Sequence, residues 1–390
     1  MLGTLALAWA VLQTGRLLLS PLLPAILDSL AITTVGAGVA LGALQVVYAA
    51  AQYPSGRLSD SLTRASLILP GLAVLVAAFS LLLVTPTYAV FVAATTLLGL
   101  GKGLFAIPSR ALLSDLFVAR RGQALGLYTA GTDLGGLLAA ALAVVAVGST
   151  TALAGTTAVG AVPGGWRAPY ALVAAALGTT AVAYALWTRE PLALGGASVA
   201  VVATVTRLLS AREQRESLVA FTLFYFVVGA WVNFLPTYLA EAKGLTAPTP
   251  QLLFSVVFVV GIGTKPAAGV VSDRLPRRLV SVVGLGVAAA SLVAVTVLDS
   301  VAGIALAIGL FALGYKTQFP IVDAVVLDAA PTENLGGDLG AARALFLGVG
   351  AFGPVYMGAV AAGPGYGVGF AGLVVCLVVA AGLLALDLRR

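Results

Sequence analysis

Gly56-Arg57-Leu58-Ser59-Asp60-Ser61-Leu62-Thr63-Arg64 is a short polar island between two long apolar runs. A second copy, Gly269-Val270-Val271-Ser272-Asp273-Arg274-Leu275-Pro276-Arg277-Arg278, begins 213 residues further on. Both read Gly-x-x-Ser-Asp-x-x-x-Arg. In a chain of 390 residues that separation points to two related halves. Each half carries a charged hairpin between its second and third apolar spans. The repeat recurs elsewhere. Leu23-Pro24 matches Leu235-Pro236, and Pro108 matches Pro320. Leu125-Gly126, Gly131 and Gly136 match Leu347-Gly348, Gly353 and Gly358.

Composition sets the solvent. Hydrophobic residues make up 60% of the chain and charged residues 9%, against roughly 25% charged in a soluble domain. Apolar runs of the ~20 residues needed to cross a bilayer recur from end to end. The reading is a polytopic, all-α membrane protein with spans near 4–27, 34–54, 67–84, 88–112, 123–147, 167–187, 217–240, 250–270, 280–297, 303–327, 341–362 and 368–387. No Lys or Arg precedes Arg16, so the basic start of a secretory signal is lacking and 4–27 is expected to stay as the first span. There is no histidine, which excludes imidazole metal sites and histidine proton relays. The single cysteine, Cys376, lies in an apolar run and reads as packing.

The paired polar islands resemble the signature loop of the major facilitator superfamily, roughly Gly-x-Leu-Ala-Asp-Arg-x-Gly-Arg-Arg. The first copy keeps Gly56, Leu58, Asp60 and Arg64; the second keeps Gly269, Asp273, Arg274, Arg277 and Arg278. The resemblance covers nearly the whole chain. It implies twelve helices in two pseudo-symmetric six-helix bundles that rock to expose a central site to either side of the membrane. The expected divisions are an N-terminal bundle at 1–187, a cytoplasmic linker at 188–216 and a C-terminal bundle at 217–390. The apolar stretch 197–209 is too short to span and is expected along the membrane surface. Residues 148–166 are expected to form the longest external loop.

Lys and Arg placement sets the orientation. Most of the 21 basic residues, including Arg57, Arg64, Arg215, Arg274, Arg277, Arg278 and Arg390, fall on the side of the signature loops. Only Arg167 and Lys243 fall on the other. The loop side and both termini are therefore expected in the cytoplasm. A composition rich in Ala, Val, Gly and Leu, with Arg favoured over Lys, fits a prokaryotic inner membrane.

Asp and Arg four residues apart at a helix end can share one face of a turn. Arg64 can then reach Asp115 at the end of span four, and Asp273, Arg277 and Asp328 form the matching set in the second half. The expected cytoplasmic gate is Gly56, Asp60, Arg64, Asp115, Gly269, Asp273, Arg277 and Asp328. The resemblance implies that Asp60 faces the start of the eleventh helix, where the helix dipole favours a carboxylate by about 0.3–1 kcal/mol. Ordinary positive-inside topology and helix capping would produce the same residues.

Five basic residues fall inside spans: Arg16, Lys102, Arg110, Lys265 and Lys316. Each unpaired charge at the bilayer centre costs roughly 2.5–3.5 kcal/mol on insertion scales. Trp9, Gln13, Arg16 and Ser20 follow at helical spacing and form one polar stripe. The resemblance implies that helices one, four, seven and ten line the central cavity. The candidate substrate-binding set is Arg16, Gln13, Lys102, Trp231, Asn233, Tyr315, Lys316 and Gln318. The acids in the spans are Asp133 and Asp323, and with Lys265 they form the candidate coupling set. Burial would raise the proton affinity of Asp133 and a cation would lower it, so proton site and salt-bridge partner both stay open. The glycine-rich runs Gly131 to Gly136 and Gly353 to Gly358 resemble a family motif of proton-exchanging exporters, and read equally as close helix packing.

A surplus of positive charge in a cavity is best explained by an anion that visits it. The expected function is secondary active transport of a small organic anion by alternating access, as symporter or antiporter. The rival is proton-coupled efflux of amphipathic, drug-like compounds, with Asp133 at its centre. A non-transporting receptor or scaffold on the same fold is a third reading, and permanent pairing of Arg16 or Lys102 with Asp133 would account for the charges without any substrate. The chain carries no nucleotide-binding loop and no nucleophile–base set, so the reading is not an enzyme and no cofactor is called for. Expected partners are an anionic small molecule, the lipid bilayer and a coupling proton or ion. Nothing points to nucleic acid, and a monomer is the family's default.

Overall fold

The structure is a computed structural model. It describes residues 1–117, 121–152, 165–188, 190–193, 195, 206, 212–328 and 335–386. The stretch 197–209 lies outside the described residues apart from Thr206, and so do the side chains of Asp60, Asp273, Asp323 and Asp328. Among the described residues there are helices and no strand. In chain order they are α1 Leu2–Leu18, α2 Leu23–Leu30, α3 Thr34–Ser61, α4 Ala65–Val84, α5 Tyr88–Leu116, α6 Arg121–Ala152 and α7 Pro169–Trp187. Then follow α8 Arg212–Glu241, α9 Thr249–Arg274, α10 Arg277–Val297, α11 Val301–Asp328, α12 Leu335–Gly350, α13 Phe352–Ala362 and α14 Tyr366–Leu386.

Eleven of the described spans are long and apolar enough to cross a membrane, and twelve if the bent pair α1 and α2 makes one crossing. Helices are what the composition requires: in hydrocarbon every backbone N–H and C=O must be satisfied within the segment itself. Large apolar side chains stand exposed at helical spacing, as with Leu134, Leu138 and Val145 on α6 or Leu306, Leu310 and Leu313 on α11. Such rows suit lipid tails, because a membrane-facing surface gains nothing from polar cover.

The expected continuous first span is broken. α1 stops at Leu18, α2 starts at Leu23, and their axes differ by 56°. Pro21 and Pro24 fall within four residues, so two backbone donors are missing from one turn. In α8 the matching Leu235-Pro236 leaves the helix continuous, because Asn233 stands where the first half has Pro21. The signature stretch is itself helical down to Ser61, leaving only Leu62 to Arg64 as the turn into α4. α6 continues through Ala152, further than the loop expected from residue 148.

The chain forms two compact units. One holds 1–199 with 233–255; the other holds 200–232 with 256–390. In the first unit α5 packs against α3 and α4, and α1 packs against α6 and α7. Alternate glycines make this possible. A Cβ on Gly99 would strike the carbonyl oxygen of Leu44 on α3, and one on Gly103 would strike Ala51. A Cβ on Gly101 would lie 3.0 Å from the carbonyl oxygen of Gly71 on α4. In the second unit α10 packs against α11 and α14.

Candidate functional site

The first unit gathers its buried polar groups around α1, α5 and α6. Gly135 lets the α6 backbone settle on α1: a Cβ there would be 2.7 Å from the carbonyl oxygen of Ala10 and 2.9 Å from the backbone nitrogen of Thr14. That contact sets the height of Thr132, whose hydroxyl accepts the indole N–H of Trp9 at 2.9 Å. Trp9 stacks on Tyr128 with ring centroids 5.0 Å apart, and the Tyr128 hydroxyl shares a hydrogen bond of 2.7 Å with Ser109. The result is an aromatic pair pinned at both ends.

Two cations of α5 rest on aromatic faces. The Arg110 guanidinium lies 5.2 Å from the Trp9 ring and 5.8 Å from the Tyr128 ring. Lys102 Nζ lies 3.9 Å from the centroid of Tyr48 on α3. A ring face attracts a cation by roughly 0.5–2 kcal/mol, more as water is removed. Lys102 is only 5% exposed. Among the described residues, no carboxylate reaches ion-pair distance of Lys102 or Arg110. Buried Arg110 Nε and Gln13 Oε1 find no hydrogen-bond partner there either. Asp133 is 2% exposed and is engaged by a neighbour, as is Arg16. Ser20, in the break after α1, donates to the backbone carbonyl of Asn233 at 3.1 Å.

The candidates of the second unit lie in aromatic surroundings. Trp231 stacks on Phe311 at 4.0 Å, and Tyr315 contacts Phe224, Phe311 and Phe319. Lys316 is 2% exposed, with its Nζ 4.9 Å from the Phe258 ring and 5.1 Å from that of Tyr315. Gln318 donates to the carbonyls of Ser281 and Gly314 at 3.2 and 3.3 Å and so ties α11 to α10. Lys265 lies 5.7 Å from the Phe319 ring and is otherwise engaged.

At the signature turn Arg64 meets Asp115 at 3.2 Å and also donates to the hydroxyl and backbone carbonyl of Ser59. The chain after α7 returns to this turn. Glu190 accepts the Ala65 backbone N–H at 2.9 Å, Thr63 donates to the Pro191 carbonyl, and Ser66 accepts from the Ala193 N–H. A carboxylate at the start of α4 satisfies a donor that the helix cannot satisfy itself, and it complements the helix dipole. A Cβ on Gly56 would only graze Ile107 at 3.8 Å, and one on Gly269 would meet nothing. In this conformation packing does not require either glycine. Arg277, the first residue of α10, is engaged. The acids Asp60, Asp273, Asp323 and Asp328, expected beside these groups, lie outside the described residues.

The structure thus sets Lys102 on Tyr48 and Arg110 on Trp9 and Tyr128, with Arg16 on α1. Sequence reasoning counts Arg110 among the charges in spans but leaves it, Tyr48 and Tyr128 out of the binding set. The available signal is that Arg110 follows Lys102 by eight residues on the same helix, just past Pro108.

The Major Facilitator Superfamily profile matches residues 5–250 and 217–390. The chain is 26% identical over 291 residues to the "Probable sulfoacetate transporter SauU" of Cupriavidus necator, a match that spans 71% of this chain and 65% of that relative. Among solved structures, a bacterial homolog of the human lysosomal transporter Spinster in an inward-facing, unoccupied conformation superposes with a TM-score of 0.84 at 15% identity, covering 100% of this chain and 96% of that one. The same homolog in an inward-facing, occupied conformation gives 0.80 at 16% with the same coverage. A D-xylose–proton symporter gives 0.75 at 14%, covering 98% and 96%. With its span count, repeated signature turns and a profile match along its length, the chain belongs to the Major Facilitator Superfamily.

Proposed function

We propose that this transporter is a secondary carrier of a small organic anion and that Arg16, Lys102 and Arg110 of the first unit form its binding group. One observation carries the reading. Lys102 is buried on the ring of Tyr48, with no described carboxylate at ion-pair distance to compensate it. A cation that stays charged in such a place needs an anion to neutralise it, and a visiting substrate is that anion. The sulfoacetate named for the relative is an anion, which supports the same chemistry. In this reading Arg64 and Asp115, with Arg277 on the other half, belong to the cytoplasmic gate of an alternating-access cycle in an inner membrane. Asp133 is the coupling group.

The test is uptake into proteoliposomes. Radiolabelled sulfoacetate should enter saturably with wild type, and Lys102→Gln should lower the initial rate by at least about tenfold, the loss expected when one charge-assisted contact goes. Equal uptake by both proteins would refute the assignment. The rival, efflux of amphipathic compounds, draws support from the aromatic group around Trp231, Phe311 and Tyr315. It predicts dye extrusion that is insensitive to Lys102.

A further inference from the structure

Resting on the anion reading, we infer that the first unit's cationic group is built for a dianion, and that Arg110 selects it over a monoanion. The first support is charge balance. Arg16, Lys102 and Arg110 bring three positive charges into the interior of the spans, and Asp133 brings one negative charge. The unit's other acids sit elsewhere: Asp28 in α2, Asp60 and Asp115 in the last turns of α3 and α5, Glu190 after α7, and Glu241 at the end of α8. Asp133 offsets one of the three charges, and no described carboxylate reaches ion-pair distance of Lys102 or Arg110. A monoanion would leave one of them uncompensated in a low-dielectric site, and a dianion leaves none.

The second support is the separation of the two supported cations. Lys102 and Arg110 are eight residues apart on α5, about 12 Å along a helix axis. They rest on different elements: Lys102 on Tyr48 of α3, Arg110 on the Trp9–Tyr128 pair of α1 and α6. These are two stations, and both long side chains must turn toward one small solute to hold it together. The Arg110 station is the more rigid, because Thr132 and Ser109 fix its two rings. A guanidinium lying on ring faces keeps its in-plane N–H donors for a planar acceptor. Nε belongs to the edge that a carboxylate or sulfonate takes up side-on, and Arg110 Nε is buried with no partner among the described residues. The substrate class is therefore a small organic acid with two anionic groups, one held by the Arg110 fork and the other by the ammonium of Lys102.

The experiment compares probes matched in size and different in charge. Binding of sulfoacetate and malonate, and of the monoanions methanesulfonate and acetate, is measured by calorimetry on the full-length protein. Wild type, Arg110→Gln and Arg110→Lys are each checked for a monodisperse elution profile. Wild type should bind the dianions at least about 30-fold tighter than the monoanions, and Arg110→Gln should remove most of that difference by weakening the dianions alone. Arg110→Lys, which keeps charge and loses the fork, should fall between them. If wild type binds monoanions as tightly as dianions, or if Arg110→Gln weakens both equally, the dianion inference is overturned and anion binding as such survives. If wild type binds none of the four anions while a lipophilic cation does bind, the anion reading itself fails.

Discussion

In each half the third and fourth spans meet at a pair of glycines. Gly71 faces Gly101 in the first half and Gly284 faces Gly314 in the second, and a Cβ at either fourth-span position would run into the partner's backbone. The next residue is Lys102 in one half and Tyr315 in the other. Likewise the Leu-Pro register sets Val228 opposite Arg16, and α8 and α11 fill their buried faces with Trp231, Phe224 and Phe311. The backbone contacts repeat, while the side chains beside them have diverged into a cationic group and an aromatic one. Packing that lets helices approach closely is a demand of the fold and appears twice. In the proposed reading, charge that meets a substrate is a demand of function and needs to appear only once.

Transport should break this comparison most sharply. Arg16→Gln or Lys102→Gln should cut anion uptake by about 10- to 100-fold, whereas Lys316→Gln, in the aromatic half, should cut it by no more than about threefold. Equal losses would erase the division of labour. Stability should instead treat the halves alike. Gly101→Val and Gly314→Val should each cost about 1–3 kcal/mol or more by overpacking the paired helices, read as matched falls in Tm. A large fall in only one half would show that the glycine contacts are not equivalent.

Smaller effects belong to the signature turns. Asp115→Asn removes the acid that faces Arg64, but Asp115 is 56% exposed, so the loss should be about 0–1 kcal/mol in thermal unfolding. Gly269→Ala should be neutral or stabilising by up to about 1 kcal/mol, since the position is helical and open. A marked loss of uptake in Gly269→Ala with Tm unchanged would mean that the glycine serves another conformation of the cycle.

The fold was legible because membrane solvent writes it in long apolar runs, and because Gly-x-x-Ser-Asp-x-x-x-Arg occurs twice. The family followed from the same residues. The break after Leu18 was less legible. Leu23-Pro24 and Leu235-Pro236 look alike in sequence, and it is the additional Pro21 that separates a broken helix from a continuous one. The candidate site was legible in its charges and not in its supports. Arg16 and Lys102 stand out as ions in apolar runs. Tyr48, Tyr128 and Ser109 look like ordinary span residues until helix packing sets them around Arg110 and Lys102. Gln318 looked like a cavity-facing amide, and the structure places its amide nitrogen on Ser281 and Gly314.

The central claim is that buried cations of the first unit hold an anionic substrate. The most direct measurement is ligand-induced thermal stabilisation of the purified protein by sulfoacetate, on wild type and on Arg16→Gln. At about 100 times its dissociation constant a ligand adds roughly 2.7 kcal/mol, a clear rise in Tm. The account predicts that rise in wild type and little or none in Arg16→Gln. An equal rise in both proteins, or stabilisation by lipophilic cations alone, would contradict it.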